Sequence, residues 1–170
     1  GFCSHCQARG GAPVNNRDYQ QLLRESLETL SESLRWLKRS CSICVEIGIK
    51  EEYLEEEFDA FETFTSRFAR TVDIILQKVL RSIDRVELED QGTLLDVLNR
   101  AHKRGLIDSV DEIRLIRELR NDIVHEYTSG KLADLFADVM SNVPKLLDVA
   151  ERIDRYCREK LIAPHTPAKR

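Results

Sequence analysis

The chain predicts an all-α fold, an up-and-down antiparallel bundle of four to five helices. Three observations predict it. Turn-forming residues are scarce, with 7 Gly and 4 Pro among 170 residues, so few chain reversals are available and long helices are favoured over a many-stranded β fold. Apolar residues recur at steps of three and four over most of the chain, which is the stripe of an amphipathic helix. Hydrophobic residues at 42% and charged residues at 33% give a globular balance, enough for one domain whose core needs neither disulfides nor metal.

Residues 1–16 show no periodicity, and Gly10, Gly11, Pro13, Asn15 and Asn16 favour coil; this stretch is expected to be disordered or non-native and outside the fold. The bundle is expected over 17–162. From Asp18 the residues Tyr19, Leu23, Leu27, Leu30, Leu34, Leu37, Cys41 and Cys44 make one helical stripe, which Gly48 ends as glycine commonly does just past a last turn. A second helix begins near Glu51. Leu54, Phe58, Phe61, Phe68, Val72, Ile75 and Val79 mark its stripe and Phe64, Leu76, Leu80 and Ile83 widen it, so it is central to the bundle or faces two neighbours. Glu55, Glu56 and Glu57 read as a solvated face near the helix start, where negative charge suits the macrodipole. The segment from Asp84 to Gly92 reads as a loop, or as a loop preceded by a helical extension.

Thr93 to Arg104 forms a short helix with a Thr-x-x-Asp start and a glycine stop at Gly105. Ser109 to Glu112 has the Ser-x-x-Glu form of a capping box, opening a helix that carries Val110, Ile113, Ile116, Ile123 and Val124. Thr128, Ser129 and Gly130 supply a break. A final helix follows, with Leu132, Leu135, Val139, Val143, Leu146, Ala150, Ile153 and Cys157 on its stripe; Pro144 is expected to kink it or divide it. The tail 163–170 reads as flexible.

The formal charge is −4, whereas nucleic-acid-binding domains usually carry excess Lys and Arg. Any RNA contact must therefore come from a local basic patch, or from one assembled between subunits. No apolar run reaches the roughly 18 residues of a membrane span and no signal-peptide pattern opens the chain, so a soluble cytoplasmic protein is expected. Five cysteines, an odd number, argue against a disulfide framework. Cys3 with Cys6 and Cys41 with Cys44 form two CxxC pairs, but their separation exceeds that of compact zinc ribbons. Cys41 and Cys44 fall on the apolar stripe as small core side chains, as does Cys157. No metal or other cofactor is expected.

Helix-forming charge explains most polar residues, but not the run Arg120-Asn121-Asp122-Ile123-Val124-His125-Glu126-Tyr127. At about 100° per residue, Asn121 and His125 share a face and so do Arg120 and Tyr127. Arg120 and His125 diverge by about 140°. One copy of the helix therefore makes half a site, and two copies crossing at a dimer axis bring both arginines and both histidines around one cleft; a homodimer, or a higher oligomer in complex, is expected. Arg114 and Arg117 recur with Arg120 every three residues as a candidate RNA-binding stripe. Arg100, His102, Lys103 and Arg104 are a second basic cluster, a phosphate contact or an ordinary solvated surface.

Arg-x4-His with a polar residue after the arginine is the HEPN signature, here Arg120, Asn121 and His125. The extended form Arg-x4-His-x-Tyr, met by Arg120, His125 and Tyr127, resembles the HepT toxins of type VII toxin–antitoxin pairs, over roughly residues 18–160. The unusually long first helix and the Cys-bearing N-terminus depart from the family pattern. The resemblance implies a metal-independent endoribonuclease with catalytic Arg120, Asn121 and His125. Its implied partners are RNA and an MntA-like nucleotidyltransferase antitoxin that attaches AMP to Tyr127. Such residues suit the task, since imidazole ordinarily titrates near pH ~6.5 and serves as base or acid, while a guanidinium fork suits a phosphate. The alternative is a non-catalytic helical scaffold or substrate-binding partner of a nucleotidyltransferase.

Overall fold

The computed structural model describes residues 15–89, 91–125 and 132–162, and these contain helices and no strand. In chain order the elements are α1 (Asn16–Ile47), α2 (Glu55–Asp73), a π-helical segment (Ile74–Val79), α3 (Leu80–Val86), α4 (Leu94–Lys103), α5 (Val110–His125) and α6 (Leu132–Tyr156), the last extended by a π turn (Cys157–Leu161). α2, the π segment and α3 run on as one helix over 55–86, giving five helices around one core. Residues 1–14 and 163–170, and with them Cys3 and Cys6, lie outside the described residues.

The ends follow from local chemistry. α1 begins at Asn16, ahead of the expected Asp18, because the Asp18 carboxylate accepts the Asn15 N–H at 3.2 Å. Glu57 does the same for the Leu54 N–H at 3.1 Å, so this acid caps α2 as well as suiting its dipole. Thr93 and Asp96 form a reciprocal box: the Thr93 N–H donates to Asp96 at 2.7 Å and the Asp96 N–H to the Thr93 hydroxyl at 3.4 Å. Only half of the Ser109 box closes, with the Glu112 N–H donating to Ser109 at 3.4 Å, while the Glu112 carboxylate accepts from Lys145 at 3.4 Å. α4 ends in a Schellman turn: the Leu106 N–H reaches the Ala101 carbonyl and the Gly105 N–H that of His102, with Gly105 at φ 75°.

The central helix 55–86 faces two neighbours, as its broad apolar arc requires. Phe61, Phe64 and Phe68 are fully buried, and Phe61 stacks on Phe136 of α6 at 4.6 Å between centroids. Against α1 the contact is partly polar. Ser26, Ser33 and Ser40 recur every seven residues and meet the Ser82 hydroxyl at 3.1 Å, the Thr71 hydroxyl at 2.7 Å and the Arg67 guanidinium at 2.6 Å. These cross-helix bonds form only in one alignment, so the seam favours this register of the two long helices.

Cys44 and Cys157 are fully buried and Cys41 half-buried, as the stripe predicts. Burial pushes the Cys44 thiol up to about 11 and Cys157 up to about 12, which keeps both as inert thiols rather than nucleophiles.

The structure decides between two pairs of alternatives. Asp84 belongs to a helical extension and not to the loop. It lies inside α3, is 1% exposed, and accepts from Arg100 at 2.9 Å and Arg104 at 2.5 Å. Arg104 also donates to Glu87 at 2.7 Å, and the Tyr156 hydroxyl reaches the same Glu87. The pattern could not show this because the partners sit a helix away, and a buried carboxylate persists only when so paired. Of the two outcomes expected at Pro144, division does not occur: α6 runs through it as one helix. The ring removes one helical N–H, but Val139, Val143, Leu146 and Ala150 are all buried on the same side, and that packing outweighs the lost bond.

Candidate functional site

The last turns of α5 carry Arg120, Asn121 and His125, and the first of these is built into the bundle. Arg120 donates through Nε and Nη2 to the two carboxylate oxygens of Asp73, each at 2.8 Å. This is a bidentate pair made with the side edge of the guanidinium. The remaining nitrogen, Nη1, donates to Asn121 Oδ1 at 3.3 Å. The hydrogen bonds that Arg120 donates to Asp73 hold its pKa above the ordinary value, against a smaller opposing effect of burial. The pair lies at the surface, with Arg120 29% and Asp73 43% exposed, so an anion can approach its outer edge.

Asp73 is the residue that sequence reasoning missed. It closes α2 and immediately precedes the π segment, a distortion that often marks functional positions. The available signal was a lone acid in the run Thr71-Val72-Asp73-Ile74-Ile75-Leu76. Its partner lies 47 residues away, beyond the reach of any local pattern.

His125 is the last residue of α5 and is exposed. Among the described residues no hydrogen bond joins it to Arg120 or Asn121; Asn121 turns its carbonyl oxygen to Arg120 instead. Within one chain the structure thus joins Arg120, Asn121 and Asp73 and leaves His125 apart, along the divergence expected from the helical geometry. Tyr127 lies outside the described residues.

The three arginines of α5 do not share a surface. Arg114 and Arg117 are exposed and line a groove of about 220 Å³ against Leu94, Leu95 and Leu98 of α4, with Glu118 on the same wall. Arg120 turns instead toward α2. Arg100 and Arg104 are committed to Asp84 and are not available to a phosphate. Among the described residues no group of three His, Cys, Asp or Glu side chains is placed to hold a metal ion, and no helix is long and apolar enough to cross a membrane.

Comparisons with models of known protein families, with curated proteins and with solved structures return no match for this chain.

Proposed function

We propose that the chain is a metal-independent endoribonuclease, the cytoplasmic toxin of a toxin–antitoxin pair, working as a homodimer with a composite active site. The observation that carries this reading is the state of Arg120. Asp73 holds it by one edge, Asn121 touches its free end, and an exposed His125 follows about 7–8 Å further along the helix axis. A guanidinium so oriented offers its outer N–H groups to a phosphate, and the imidazole offers a proton acceptor to the site of a second chain.

The chemistry asks little more of a protein. The 2′-oxygen of RNA attacks the adjacent phosphorus as the bond to the 5′-oxygen breaks. His125 takes the 2′-hydroxyl proton, and a second proton carrier, His125 of the other chain, protonates the departing 5′-oxygen. Arg120 and Asn121 face the charge that builds on the phosphoryl oxygens. The divergence of Arg120 and His125 on one helix is the reason for assigning the site to two chains.

The resemblance to HepT toxins supports the regulatory half of the proposal. A nucleotidyltransferase antitoxin transfers AMP from ATP to the Tyr127 hydroxyl, releasing pyrophosphate, and the added bulk and negative charge repel RNA phosphate. Arg120→Ala or His125→Ala should each abolish RNA cleavage and growth toxicity with helical content intact. Intact mass after incubation with the partner and ATP should show AMP increments that vanish in Tyr127→Phe.

One observation favours the scaffold alternative: the bidentate Asp73–Arg120 pair would clamp α2 to α5 with no chemistry at all. A scaffold binds the nucleotidyltransferase but leaves RNA whole, and the cleavage assay separates the two.

A further inference from the structure

Several cations of the described residues are paired with carboxylates, among them Arg100 and Arg104 with Asp84, Arg120 with Asp73, Arg152 with Asp108 and Arg158 with Asp154. The outer side of the central helix gathers four that are not. Val72, Ile74, Ile75, Leu76, Val79, Leu80 and Ile83 are buried, which leaves Arg70, Gln77, Lys78 and Arg85 exposed and Arg81 half-buried. The two acids within this stretch are both taken, Asp73 by Arg120 and Asp84 by Arg100 and Arg104. Among the described residues none of Arg70, Lys78, Arg81 and Arg85 is in an ion pair; Arg81 has only the Gln77 amide oxygen at 3.4 Å.

Four unpaired cations on one side of one helix repel one another, and Lys78, Arg81 and Arg85 stand at the three- and four-residue spacings where like charges cost a few tenths of a kcal/mol each (~0.2–0.5). A chain with 30 acidic residues against 26 basic has acids to spare for neutralising them, yet the strip stays basic. It spans about 22 Å at 1.5 Å per residue, and its Arg70 stands one turn before Asp73, the partner of Arg120. The strip therefore passes beside the Asp73–Arg120 pair, with Arg70 on one side of it and Lys78, Arg81 and Arg85 on the other.

We infer that Arg70, Lys78, Arg81 and Arg85 form the track for the phosphate backbone of single-stranded RNA, leading it to Arg120. This rests on the ribonuclease reading for its purpose, though not for its detection. It also assigns substrate binding to the α2–α3 side, and not to Arg114 and Arg117 on the α4 side. Binding along such a track is electrostatic and sequence-tolerant, and weakens with salt by about 0.7 in the log–log slope per phosphate neutralised on a single strand.

The test measures anisotropy of a labelled 12-nucleotide 2′-O-methyl oligouridine, which lacks the free hydroxyl needed for cleavage, against salt concentration. The wild-type chain should bind, Lys78→Glu/Arg81→Glu/Arg85→Glu should weaken binding at least tenfold and flatten the salt slope by about 2, and Arg114→Glu/Arg117→Glu should bind as wild type. The neutral Lys78→Gln/Arg81→Gln/Arg85→Gln variant, with circular dichroism on each, separates lost contacts from lost folding. Wild-type affinity in the triple variants, loss confined to the Arg114/Arg117 variant, or no binding by the wild type would each overturn the track. Stronger strip-dependent binding to vesicles of 30% phosphatidylserine than to the oligonucleotide would overturn it in favour of a lipid surface. Strip-dependent oligonucleotide binding by a chain that never cleaves unmodified RNA would leave the track standing and remove the ribonuclease.

Discussion

Asp73 carries the most weight of any single residue outside the Arg-x4-His pattern. Its pair with Arg120 is 43% and 29% exposed, and such pairs contribute no more than about 1 kcal/mol to stability. Its effect on orientation is larger, because a guanidinium released from both carboxylate oxygens sweeps through many rotamers. Asp73→Ala should therefore leave the melting temperature nearly unchanged and lower RNA cleavage by up to about 100-fold, mostly in kcat. Asp73→Glu should restore part of the rate, which a purely structural clamp would not require. Asp84 is the opposite case. At 1% exposure and with two arginines on it, it acts on stability: Asp84→Ala strands Arg100, leaves Arg104 to Glu87 and Glu89, and should cost about 3–5 kcal/mol, read by urea denaturation.

At the scale of elements, the helices were legible because their signals are local. The 3.6-residue stripe, the Thr93 and Ser109 starts and the glycine stops at Gly48 and Gly105 all act within one or two turns. What stayed hidden was pairing across the bundle. Asp73 finds Arg120 and Asp84 finds Arg104 over separations of 47 and 20 residues, and no periodicity encodes such distances. The unbroken α6 was hidden for a related reason, since the packing that carries Pro144 is contributed by other helices. One end is poorly served by its sequence. α3 closes in a Schellman turn, with the Leu88 N–H on the Arg85 carbonyl and the Glu89 N–H on that of Asp84, and this places Leu88 at φ 59°. A leucine there is strained and is also 78% exposed, so it gains little from burial. Leu88→Gly should stabilise the protein by about 1 kcal/mol, raising Tm by roughly 2–4 °C.

For the whole molecule, charge and ionisation set the conditions under which the fold and the site coexist. Burial lifts the Cys157 thiol from 9.0 to about 12, and burial followed by the Glu87 hydrogen bond lifts Tyr156 from 10.0 to about 12. Both groups are neutral below the ordinary values, where their contribution is fully present. As pH rises from about 9 to about 12 the unfolded chain gives up these protons first, so stability falls across that window. Cys157→Ala should flatten the lower part of the fall in pH-dependent melts.

The proposed composite site is likewise a property of the whole assembly. Arg120 and His125 part company within one chain, so cleavage should follow dimer concentration and not chain concentration. The most direct measurement sets the purified wild-type chain beside the Arg120→Ala/His125→Ala double variant on single-stranded RNA, in excess EDTA and over a range of protein concentrations. Cleavage by the wild type should survive EDTA and rise steeply where dimers form, with none from the equally helical double variant. Equal cleavage by the two proteins, or none by a dimeric wild type free of AMP, would contradict it.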